Sequence, residues 1–111
     1  MPREKFKTLT EQMFYILLCL RRERRGSDIL EAVRALTEGR VTIGSGTLYD
    51  LLEQFLAAGV IQETEAAGRR RSYIITDKGR EMLDREYRRL RSQTEDYDRV
   101  LRESNGMKSR G

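Results

Sequence analysis

The spacing of apolar residues changes twice along this chain, from a helical period to a strand-like one at Gly59 and back to a helical one at Thr76. Leu9, Met13, Ile16, Leu17 and Leu20 predict a first helix of about four turns, opened by a capping box from Thr8 to Glu11. Phe14, Tyr15 and Leu18 make it apolar on a second side, as a helix between other elements must be. It runs into the charged stretch RRERR, Arg21 to Arg25. Ile29, Leu30, Val33 and Leu36 stripe a second helix, which Ser27 would cap and Glu38-Gly39 would close. A short β-prone piece, Val41 to Ile43, leads into Gly44-Ser45-Gly46. Leu48, Leu51, Leu52, Phe55 and Leu56 stripe a third helix, and Gly59 stands where it needs a left-handed residue to stop.

Beyond Gly59 the period shortens. Val60 to Glu65 and Arg71 to Thr76 read as two strands joined by Ala66-Ala67-Gly68-Arg69-Arg70, a hairpin with a small basic tip. Three helices followed by a two-stranded hairpin is the layout of a winged helix-turn-helix. The expected fold class is therefore mainly α with a small β-hairpin, with residues 8–76 as the winged-helix domain.

The last stretch outgrows that domain. Thr76 can cap a fourth helix, and Leu83, Tyr87, Leu90, Thr94, Tyr97 and Leu101 then step by 4, 3, 4, 3, 4. Over residues 77–103 such a helix measures roughly 40 Å, more than a small core can cover. A second copy of the same helix is the economical cover, because two-fold homodimers are the commonest oligomers. Eight basic and eight acidic residues between Asp77 and Glu103 suit flanking ion pairs. Residues 77–103 are thus expected to be a dimerisation helix with Leu83, Tyr87, Leu90, Tyr97 and Leu101 at the interface. The alternative is a stripe folded back on the first helix. Residues 104–111 read as a disordered tail.

Composition narrows the function. With 111 residues the chain has length for one modest core, and 36% charged residues imply a solvated or partner-covered extension. A net charge of +4 permits a nucleic-acid partner without requiring one. The longest apolar run, FYILLCL, falls well short of the roughly 18 residues of a membrane span. The start lacks the pattern of a signal peptide, so a cytoplasmic location is expected. The chain has no histidine, which removes the commonest metal ligand and the usual activator of a nucleophile. Cys19, inside the apolar run, reads as a buried structural thiol. No P-loop and no GxGxxG is present, so neither an enzyme nor a cofactor is expected.

Gly46-Thr47-Leu48-Tyr49 before an apolar-patterned helix, Gly59-Val60-Ile61, an arginine-rich turn, Tyr73 and Thr76-Asp77-Lys78-Gly79 occur together in register. In this combination, from Leu9 to about Leu101, the chain resembles the PadR family of bacterial winged-helix transcriptional regulators. The single C-terminal helix is similar to that of the short PadR subfamily. The resemblance implies a homodimer that represses transcription, often with relief by a small molecule. It also implies an aromatic-ligand cavity between the first and last helices of the dimer, which Phe14, Tyr15, Tyr87 and Tyr97 would line; for each of these residues alone, ordinary packing is the simpler role. With no tryptophan, indole stacking is excluded. The chain departs from the family at Ser45, where proline is usual before GTLY. It departs again at Arg25-Gly26-Ser27, where the family has an aromatic on each side of the glycine, and at Glu53 and Gln54, where a basic residue is common.

Double-stranded DNA is the partner such a fold implies. A winged helix offers the start of its third helix to the major groove. There Gly46 admits close approach, free N–H groups attract phosphate, and Ser45, Thr47 and Tyr49 carry hydroxyls. Arg69, Arg70 and Arg71 at the wing would supply the positive charge. Arg21 to Arg25 either touch phosphates or solubilise the end of the first helix. Asp50 and Glu53 repel phosphate where they face it, accept from cytosine, or point away. A winged helix used as a protein-binding adaptor, without DNA, is the rival reading.

Overall fold

The computed structural model describes residues 8–64 and 71–110, the side chains of 106–110 excepted. The helical stripes fold as their spacing requires, while several helix ends lie elsewhere than the capping residues suggest. The first helix, α1 (Glu11–Cys19), is capped by Thr10 and not by Thr8: its hydroxyl accepts from the Met13 N–H at 3.2 Å. The expected four turns shorten to nine residues. Ile16, Leu17 and Cys19 are buried on it, while Phe14, Tyr15 and Leu18 are half-buried on its other side. Burial pushes the Cys19 thiol up, partly offset by the neighbouring Arg24 charge, which leaves it protonated and inert.

The RRERR stretch forms a short strand, β1 (Arg24–Arg25). The second helix, α2 (Gly26–Thr37), follows at once, with Arg25 in the capping position and no side-chain cap, so Ser27 lies inside the helix and does not cap it. Ile29 and Val33 are buried, but Leu36, which shares their stripe, is 52% exposed and outside the core. Glu38 ends α2 in the left-handed conformation. Val41 to Ile43, expected to be β-prone, belong to no strand. Val41 and Ile43 are buried, and the buried Thr37 hydroxyl holds the turn by donating to the Val33 carbonyl at 2.8 Å and accepting from the Val41 N–H at 3.1 Å.

The third helix, α3 (Ser45–Ala58), buries Leu48, Leu51, Leu52 and Phe55 and stops at Gly59 with φ 77°. Two strands follow, β2 (Ile61–Thr64) and β3 (Ser72–Ile75), and with β1 they make an antiparallel sheet in the order β1-β3-β2. Tyr73 faces both Arg24 and Glu63 in the register. One connected core joins all these elements, from Leu9 and Leu20 through Phe55 to Ile75, Met82 and Leu83.

The last helix, α4 (Asp77–Arg110), has 34 residues, about 51 Å at 1.5 Å per residue. It continues through 104–110, where a disordered tail was expected; once a long helix exists, each added residue gains a hydrogen bond without a new nucleation cost. Its start is tightly fixed. The Thr76 hydroxyl donates to the Gly59 carbonyl at 2.7 Å and accepts from the Gly79 N–H at 3.1 Å, and the Thr76 N–H donates to the Val60 carbonyl at 3.0 Å. Lys78 reaches the Ala58 carbonyl at 2.8 Å. A Cβ on Gly79 would lie 2.1 Å from the Val60 carbonyl oxygen, so only glycine fits. The Gly59-Val60 and Thr76 to Gly79 motifs are therefore one joint, binding the end of α3 to the start of α4.

Candidate nucleic-acid interface

The core stripe of α3 leaves its opposite face and its first turn in solvent. Ser45, Gly46, Thr47 and Tyr49 are exposed around the buried Leu48. Gly44 precedes them in extended conformation without a side-chain cap, so the first N–H groups of α3 have no intrahelical acceptor. The positive end of the helix dipole and three hydroxyls thus share one turn. Further along, Asp50 and Glu53 lie on the same exposed face as Gly46, and Asp50 accepts from Gln54 at 3.2 Å. A polyanion laid along the whole helix would meet both carboxylates. The first turn is free of negative charge.

The arginines predicted at the wing divide. Arg69 and Arg70 lie outside the described residues. Arg71 immediately precedes β3, at the end of the hairpin away from the Ile61–Ile75 pair, with its Nε 3.2 Å from a Glu63 carboxylate oxygen. Its carbonyl accepts from the Gly26 N–H at 3.3 Å. Gly26 also lies under Tyr49: a Cβ built on it would sit 3.0 Å from the Tyr49 hydroxyl oxygen and 3.0 Å from Cε1. The start of α2 therefore holds the start of β3 and the first turn of α3 together, and the half-exposed Tyr49 and the exposed Arg71 flank the same glycine.

The RRERR stretch divides as well. Arg24 donates to the Cys19 carbonyl at 2.8 Å and serves the fold. Glu23 accepts from the Thr64 hydroxyl at 2.6 Å, tying β1 to the wing. Arg25 lies 3.8 Å from Asp28. Arg21 and Arg22 are exposed, with no ion pair among the described residues. A two-residue strand of arginines carries no alternation, so sequence periodicity could not reveal it; the pairing with Tyr73 creates it.

A separate feature lies between α1 and α4. A cavity of about 250 Å³ is lined by Phe14, Tyr15, Leu90, Glu86 and Arg89 among others. Of the residues expected to hold an aromatic ligand, Phe14 and Tyr15 reach it, meeting edge to face at 5.5 Å. Tyr87 and Tyr97 do not line it; Tyr87 is 50% exposed on α4, where its hydroxyl accepts from Arg91 at 2.9 Å. Glu86 is buried and paired with Arg89, a polar floor that helical spacing alone did not single out. The Arg89 hydrogen bond holds the Glu86 carboxyl below the ordinary glutamate range, helped by the Leu9 backbone and opposed by burial.

Along α4 the heptad positions also part company. Leu83 is 3% exposed and belongs to the core of its own chain, because the first turns of α4 pack on α1 and the sheet; it has no surface left for a partner. Tyr87, Leu90, Tyr97 and Leu101 are exposed, with Val100 beside them.

Three helices, a three-stranded wing and an uncovered start to the third helix define a winged helix-turn-helix protein. The profile of the Transcriptional regulator PadR-like family matches residues 16–85, and the chain belongs to that family. Solved structures agree on the fold. A transcriptional regulator from Clostridium thermocellum superposes with a TM-score of 0.70 at 21% identity, over 78% of this chain and 88% of that one. A PadR-like transcriptional regulator from Bacillus cereus gives 0.66 at 24%, over 79% and 88%. RosR of H. salinarum gives 0.61 at 23%, over 86% and 96%. No curated protein matches by sequence. Among the described residues no helix is long and apolar enough to cross a membrane.

Proposed function

We propose that this transcriptional regulator binds double-stranded DNA directly as a homodimer, that it acts as a repressor, and that a small aromatic molecule relieves it. The observation that carries the DNA reading is the first turn of α3: uncapped, exposed and free of carboxylates, and tied through Gly26 to the residue that precedes β3. Contacts from Ser45, Thr47, Tyr49 and helix N–H groups suit phosphate oxygens and base edges. Arg69, Arg70 and Arg71 supply charge from the wing, and Glu63 restrains the last of them. Dimerisation is supported by the exposed Tyr87, Leu90, Tyr97 and Leu101 on a helix that outruns its own domain. Ligand relief is supported by the α1–α4 cavity with Phe14 and Tyr15 in its wall; its volume of about 250 Å³ lies just below the roughly 300 Å³ at which ligand sites begin. Repression then follows from occupying a promoter.

The test is a gel shift on mixed-sequence duplex DNA over a salt series. Electrostatic binding appears without the right operator and falls steeply with salt. A chain that binds no duplex at low salt would leave the adaptor reading, which Asp50 and Glu53 on the exposed face of α3 favour. Titration with planar aromatics, followed by calorimetry, tests the cavity.

A further inference from the structure

Gly26 is buried at the first position of α2, and its conformation does not require glycine, since its φ lies outside the left-handed region. What requires it is Tyr49. The three heavy atoms nearest to a built Cβ all belong to that ring: Cε1 and the hydroxyl oxygen at 3.0 Å and Cζ at 3.3 Å. The hydroxyl edge of Tyr49 therefore rests on bare backbone, and the hydroxyl has no hydrogen-bond partner among the described residues. The same glycine donates its N–H to the Arg71 carbonyl.

We infer that Gly26 is a positioning residue for DNA binding, seating the Tyr49 hydroxyl beside the start of β3 so that the first turn of α3 and the hairpin meet DNA as one surface. The inference rests on the DNA-binding reading above. A methyl group at this contact distance displaces the ring by a few tenths of an ångström, and a branched side chain displaces it further. The displacement falls on a group that must meet an acceptor within a narrow hydrogen-bond range.

The fold and the binding should respond in opposite senses, which separates this role from a structural one. Alanine is compatible with the backbone of α2 and narrows the unfolded ensemble, so Gly26→Ala keeps or raises the thermal midpoint. The same variant weakens binding to a mixed-sequence duplex several-fold, and Gly26→Val weakens it by about tenfold, the scale of one hydrogen bond to a charged oxygen. In a Tyr49→Ala background, Gly26→Ala adds no further loss, because the ring it disturbs is gone. Unchanged affinity in Gly26→Ala and Gly26→Val, or equal losses with and without Tyr49, overturns the positioning role while the parent still binds. A parent that binds no duplex overturns the DNA reading itself.

Discussion

Single residues divide into those that hold the scaffold and those left in solvent at its working edge. Gly79 is of the first kind. Its missing Cβ leaves room for the Val60 carbonyl, and Gly79→Ala should cost about 3 kcal/mol, read as a lowered urea midpoint with an unchanged m-value. Tyr49 is of the second kind. Tyr49→Phe keeps the ring over Gly26 and removes only the hydroxyl, so the melting temperature should hold while duplex affinity falls by about tenfold. Equal affinity would take the hydroxyl out of the interface. Glu86 shows how pH enters. Its carboxyl is held below the usual range by Arg89, so it stabilises the fold at neutral pH and loses that contribution as pH falls through the depressed value. Glu86→Gln should therefore melt earlier than the parent at neutral pH, and the difference should shrink in acid.

Elements were legible in the sequence wherever one face is buried. The stripes of α1 and α3, Ile29 and Val33 of α2 and the strand β3 follow the apolar period because burial on one side writes that period, while Leu36 shows the spacing without the burial. Features written in hydrogen bonds were not legible. Thr8 and Thr10 offer the same chemistry two residues apart, and only the path of the chain selects Thr10. The strand in RRERR exists because β3 has a free edge beside Arg24 and Arg25, which no local pattern of charged residues announces. Leu83 carries the same seam spacing as Tyr87 and Leu90, yet its turn of α4 lies over the core and theirs does not. Of the candidate site, the first turn of α3 was readable from GTLY, whereas its attachment to the wing through Gly26 was not. At this scale the wing can be tested as a unit. Arg70→Ala should lower affinity for every duplex alike and reduce the log–log salt slope by about one for each phosphate that the guanidinium neutralises in a half-site. An unchanged slope would remove that arginine from the phosphate-binding surface.

The whole molecule is a small domain on a long helix. Its exposed Tyr97 lies beyond the reach of the domain's own core and Leu90 at that core's rim, where it also lines the α1–α4 cavity, and a second copy is the cover proposed for them. Replacing both with glutamate should convert a dimer to a monomer in sedimentation while leaving the wing sheet folded, and should weaken duplex binding far more than either half-site change alone. A parent that sediments as a monomer would overturn the assembly. In a dimer the two α3 starts would address half-sites about 34 Å apart, one turn of the double helix. The joint made by Thr76, Gly79, Gly59 and Val60 then sets the mechanics of the pair. In such a pair a tilt imposed on α4 would pass through this joint to α3, and the stride between the two reading heads would become a matter of leverage far from the bases.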